Sequence, residues 1–119
     1  KDYVEAQWLM LQQKHPEDFV IATGLQHSVR DFINIASKFL DLKIKWKGKG
    51  LKEIGIINGK EAIKIDPRYF RPTEVNSLLG DAKKARKKLK WKPKISFEKL
   101  VIDMASKDLD LATNEKQSK

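Results

Sequence analysis

The sequence predicts a mixed α/β chain of α+β character, with three to four helices and a few short strands. Three observations support that class. Apolar residues recur at helical spacing around 29–40 and 97–109. Apolar or alternating runs at 19–22, 43–46 and 62–65 have the length of strands rather than helices. Glycine, proline and polar residues separate these segments. At 119 residues the chain suits one domain and is short for two. Its body is read as 1–112, and the polar end, 113–119, as a frayed tail.

Residues 2–14 read as the first helix. Tyr3, Val4, Ala6, Trp8, Leu9, Met10 and Leu11 are apolar on more than one face, so this helix needs partners on two sides. His15 before Pro16 ends it, because a residue preceding proline avoids the helical region. Phe19-Val20-Ile21-Ala22 is continuously apolar, as a buried strand is. Ser28 and Asp31 make a capping box, with Asp in place of the usual Glu, for a helix carrying Val29, Phe32, Ile33, Ala36, Phe39 and Leu40. Lys43-Ile44-Lys45-Trp46 alternates like a half-exposed strand. Gly48, Gly50, Gly55 and Gly59 mark a loop to about residue 60, and Ala62, Ile63 and Ile65 a brief strand. Asp66-Pro67 opens an irregular stretch in which Tyr69 and Phe70 stand between Arg68 and Arg71. Asp81 is the expected N-cap of a helix with the small stripe Ala82, Ala85 and Leu89, closed by Trp91 and Pro93. Ser96 caps the last helix, whose stripe is Phe97, Leu100, Val101, Met104, Ala105 and Leu109.

Composition removes several classes. The chain is 40% hydrophobic and 34% charged, a balance of folded domains rather than disordered ones. Without cysteine there is no disulfide scaffold, thiol nucleophile or cysteine zinc site. No apolar run approaches the roughly 18 residues of a membrane span. The first residues carry acids and no apolar core of a signal peptide, so the expectation is a soluble, cytoplasmic protein. The net charge is +9. Residues 83–94 hold eight Lys and Arg and no acid, so the chain reads as near neutral with one basic segment. That segment is either a surface for a phosphate backbone, with Trp91 and Phe97 as stacking groups, or a solvated helix face with Trp91 plugging the core; the second is preferred.

No catalytic constellation emerges. His15 and His27 lie in separate loops with no acid at ligand spacing, and Asp108 and Asp110 point apart on a helix. Gly48, Gly50 and Gly55 fit neither a P-loop nor a dinucleotide fingerprint. The most informative pair is Arg71 and Glu74 around Pro72. Arginine offers a planar donor fork for a phosphate, and glutamate can accept from two hydroxyls of a ribose. A surface salt bridge explains the same two residues equally well.

The string Asp66-Pro67-Arg68-Tyr69-Phe70-Arg71-Pro72-Thr73-Glu74-Val75, followed by Leu79-Gly80-Asp81, closely resembles the C-terminal part of the GDP-mannose 4,6-dehydratases, which are extended short-chain dehydrogenase/reductases. Lys1 to Trp8, Pro16 to Gly24, Ser28-Val29-Arg30, the Trp46 to Gly55 stretch and Trp91-Lys92-Pro93 are similar to the same family, in collinear order to about residue 110. The resemblance implies a small C-terminal substrate-binding domain that begins just after the linker from an N-terminal Rossmann half. That half, absent here, would bind NADP and supply the Tyr-x-x-x-Lys pair; Tyr3 and Tyr69 are followed four residues on by Gln7 and Thr73. The implied chemistry is an internal redox dehydration of GDP-mannose, toward GDP-fucose. Hydride leaves C4, water is lost across C5 and C6, and hydride returns at C6. This chain alone would hold no cofactor and would not catalyse. Arg71 matches the arginine that would hold the GDP diphosphate, and Glu74 the acid near the ribose hydroxyls. The partners implied are GDP-mannose, the Rossmann half and further copies in a homo-oligomer; nucleic acid is not among them. Lys47 replaces a usual acid, and Lys90 stands where glycine commonly precedes the tryptophan.

Overall fold

A computed structural model describes residues 1–71 and 77–117. The elements in chain order are α1 (Asp2–Leu11), α2 (Val29–Phe39), β1 (Ile44–Lys47), β2 (Ile54–Ile57), β3 (Lys60–Lys64), α3 (Lys83–Lys88) and α4 (Phe97–Gln117). Short 3-10 turns lie at Gly50–Lys52 and Pro67–Tyr69. The four helices and the small sheet agree with the expected mixed class. The chain divides into two compact units, one from residues 1–27 and 77–97, the other from 28–71 and 98–117.

The first unit is built on small residues. Ala6 of α1 and Ala82, Ala85 and Leu89 around α3 are buried, with Leu9, Met10, Phe19 and Ile21 packed against them. Alanine lets two short helices approach closely, and Trp91 fills the remaining volume at 1% exposure. Its indole Nε1 donates to the Asp2 carbonyl at 2.9 Å, so burial leaves no unmet polar group. The Asp2 carboxylate in turn accepts from the backbone N–H of Lys94 at 2.7 Å and of Ile95 at 2.9 Å. The Ile95 and Lys94 N–H groups hold the Asp2 carboxyl below its ordinary range.

Three expectations for this unit are corrected. The run 19–22 is not a strand: it lies in no regular element, and among the described residues no segment pairs with it. Its apolar character is used differently, since Phe19 and Ile21 pack on the alanine cluster. A Cβ at Gly80 would lie 2.7 Å from that of Ala22, so the close approach there uses the missing side chain. The first helix stops at Leu11 rather than 14, because the turn that precedes His15 and Pro16 has begun by Gln12. Asp81 does not occupy the cap position, which falls on Ala82, yet its carboxylate accepts from the Lys83 N–H at 2.9 Å and so does the work of a cap. Lys90 has φ +56°, the left-handed region where glycine is free of strain and lysine is not.

The second unit contains the sheet, in the order β1-β2-β3 with both pairs antiparallel. Strand β2 lies inside the stretch expected to be loop, a correction. Ile54, Ile56 and Ile57 supply the apolar residues, and Asn58-Gly59, with φ +51° and +76°, makes the tight turn into β3. Ile44, Trp46, Gly55 and Ile63 share one face, and Lys45, Lys47, Ile54 and Ile56 share the other. Helix α2 begins with the expected capping box: Asp31 N–H donates to Ser28 Oγ at 3.1 Å, and Ser28 N–H to the Asp31 carboxylate at 2.8 Å. Trp46 Nε1 donates to Asn34 of α2 at 3.0 Å, and Arg30 of the same helix lies over the Trp46 ring while pairing with Glu53. Helix α4 continues to Gln117, past the point where composition predicts fraying; Thr113 Oγ1 donates back to the Leu109 carbonyl at 2.8 Å.

Candidate functional site

The two arginines that bracket Tyr69 and Phe70 have different surroundings. Asp66 caps the 3-10 turn at Pro67 by accepting from the Arg68 N–H at 2.9 Å. The same carboxylate takes the Arg68 guanidinium, with Nη2 to Oδ2 at 2.6 Å and Nε to Oδ2 at 3.0 Å. This fork holds the Asp66 carboxyl below, and the Arg68 guanidinium above, their ordinary values. Arg68 is therefore spoken for. Arg71, three residues on, is exposed and forms no ion pair with any described residue. Proline at 67 fixes the turn that separates them.

Among the described residues, the only guanidinium of the irregular stretch with its fork open is that of Arg71. Tyr69 and Phe70 beside it are 78% and 50% exposed, two ring faces next to a cation. The sequence singled out Arg71 by its place beside Pro72 and Glu74 and by the family resemblance; the structure adds that Arg68 is paired with Asp66. The sequence signal for the fork was present in the Asp-x-Arg spacing. Glu74 lies outside the described residues.

The other candidates behave as structural groups. The His27 ring stacks on Phe97 with centroids 3.9 Å apart. Gly48, at φ +87°, admits the backbone of the following turn, because a Cβ there would sit 2.3 Å from the Lys52 carbonyl oxygen. After this glycine pair comes strand β2, not a helix, so the geometry does not fit a dinucleotide cradle. Among the described residues no three His, Cys, Asp or Glu converge as metal ligands, and no helix is long and apolar enough to cross a membrane.

The lysines of 83–94 are largely engaged. Glu17 receives Lys88 at 2.5 Å and Lys84 at 3.0 Å, and Glu5 receives Lys94 at 2.7 Å. Lys83 meets Asp81 at 3.2 Å, and Arg86 donates to the Thr23 carbonyl at 3.3 Å. Hydrogen bonds from Lys88 and Lys84 hold the Glu17 carboxyl below its ordinary value of 4.5.

The family described as GDP-mannose 4,6 dehydratase matches residues 1–104. The GDP-mannose 4,6 dehydratase of Drosophila melanogaster is 54% identical over 112 residues, covering 92% of this chain and 28% of the relative. That of Dictyostelium discoideum is 53% identical over 116 residues, covering 96% and 33%. The Homo sapiens protein of that name is 50% identical over 113 residues, covering 93% and 30%. The chain thus spans about a third or less of the length of these curated relatives.

Proposed function

The chain belongs to the GDP-mannose 4,6-dehydratase family, and from that premise we propose that it is the substrate-holding C-terminal part of such an enzyme. The whole enzyme would act as a lyase that turns GDP-mannose into GDP-4-keto-6-deoxymannose in the cytoplasm. NADP and the catalytic residues belong to the N-terminal part, so this chain contributes binding and does not catalyse alone. Arg71 is the residue we assign to the GDP diphosphate, with Glu74 assigned to the ribose hydroxyls. The observation that carries the assignment is the contrast between the two arginines: Asp66 takes the Nε and Nη2 edge of Arg68, while no described carboxylate takes Arg71. The stripe of Tyr3, Val4, Trp8 and Leu11 on α1, 53–82% exposed, supports a covering N-terminal part, because an apolar row of that size is a contact surface.

The test is Arg71→Ala in a full-length dehydratase carrying this segment. Loss of a charge-assisted phosphate partner costs about 1.5–3 kcal/mol, so GDP-mannose binding should weaken by roughly 10- to 100-fold. NADP affinity should stay as it was. Unchanged GDP-mannose affinity would remove Arg71 from the site.

A further inference from the structure

The near-neutral remainder expected outside 83–94 conceals a second basic region. Residues 43–64 contain seven lysines and two glutamates. Glu53 is taken by Arg30, and Glu61 by Lys64 at 2.6 Å. Lys43, Lys45, Lys47, Lys49, Lys52 and Lys60 are exposed and form no ion pair within 4 Å with any described residue. Lys45 and Lys47 point to one face of β1, on the side of the sheet away from Trp46. Lys64 stands across that face on β3, opposite Ile54. Half-buried Ile54 lies between Lys47 and Lys64 and half-buried Ile56 between Lys45 and Glu61, the one carboxylate of this face, which pairs with Lys64; Lys49 and Lys52 flank the strand in the adjoining turn.

We infer that this lysine face is a docking surface for the phosphate backbone of duplex nucleic acid, independent of the dehydratase reading. Four features select that occupant. The cations are all lysine, point charges that pair with a polyanion without reading the geometry of any one group. Protein interfaces are depleted in lysine and rich in aromatics at their core, whereas Trp46 lies on the opposite face, against α2. A stable hold on a lipid surface needs an apolar anchor besides basic charge, and the segment exposes a single large apolar side chain, Leu51. A second copy of this chain is disfavoured at this face because it would set the same unpaired lysines against one another. Lysine on an edge strand also discourages strand-to-strand aggregation. That role does not require Lys49 and Lys52, which stand outside the ladder. With no aromatic on the lysine face, binding is to backbone charge and is indifferent to base sequence.

The experiment titrates the whole chain with a short mixed-sequence DNA duplex at several salt concentrations. Four phosphate contacts give a slope of log K against log salt near −3.6, or on the order of 100-fold between about 50 and about 200 mM. Lys45→Gln with Lys47→Gln should weaken binding about tenfold or more and flatten the slope by roughly two. Lys45→Arg with Lys47→Arg keeps the charge and should keep the affinity. Lys87→Gln with Lys92→Gln, in the α3 segment, should leave the slope in place. Absence of salt-dependent binding overturns the inference, as does equal loss in both glutamine pairs or failure of the arginine pair. Tighter binding of a poly-glutamate peptide or phosphatidylserine vesicles than of duplex, at equal salt, also overturns it.

Discussion

The two lysine-rich regions of this chain are alike in composition and opposite in circumstance. In the α3 segment, Glu17, Glu5 and Asp81 reach the lysines from other parts of their own unit, so the positive charge serves to tie chain to chain. In the sheet, the two glutamates present are taken by Arg30 and Lys64, and six lysines face solvent. A local excess of charge is thus a poor guide to a binding surface. What matters is whether the fold returns counter-charge to it, and that depends on residues distant in sequence.

The units differ in the same way in what holds them. The first depends on one large buried side chain, and Trp91→Ala should have the largest effect. Truncating a buried tryptophan costs about 3–5 kcal/mol. Hydrogen exchange should show amides of 1–27 and 77–97 losing protection well beyond those of β1–β3. Equal loss in both would mean that the units unfold as one. The second unit depends on local chemistry at the start of α2. Ser28→Ala removes the acceptor for the Asp31 N–H and should cost about 1 kcal/mol, read as a lower urea midpoint with protection lost first in α2. No shift would mean that α2 is held by the sheet and not by its cap.

The smallest effect tests the engaged lysines. The Glu17 carboxyl is depressed in the folded chain, so its ion pairs stabilise fully above its ordinary value of 4.5 and fade as pH falls through the depressed one. Glu17→Gln should lower the melting temperature slightly at pH 7, and the difference should shrink as pH falls below 4.5, with the exposure of the pairs keeping it small throughout. A difference that persists at low pH would assign Glu17 a role other than charge.

Much of the architecture was legible because it is written in local patterns. The capping box at Ser28, the helical stripe after it and the alternation of 43–46 each depend on neighbours within a few residues. The hairpin was legible too, in Ile54 to Ile57 followed by Asn58-Gly59, but the glycines at 48, 50 and 55 drew the eye toward a loop. The run 19–22 failed for a different reason. Its apolar residues announce burial, and Phe19 and Ile21 are half-buried, but a strand also needs a neighbour to pair with.

By itself, then, the sequence determined the helices, most of the sheet, the resemblance to a dehydratase family and the candidacy of Arg71. Each of these rests on residue type and short-range spacing. Only the tertiary structure decided that Asp66 takes the Arg68 guanidinium while no described carboxylate takes Arg71, that Glu17 engages two lysines of the α3 segment, and that six lysines of residues 43–60 form no ion pair with a described residue. The reason is that charge acts through space. Glu17 stands far along the chain from Lys84 and Lys88, yet its carboxylate lies 3.0 and 2.5 Å from their ammonium groups.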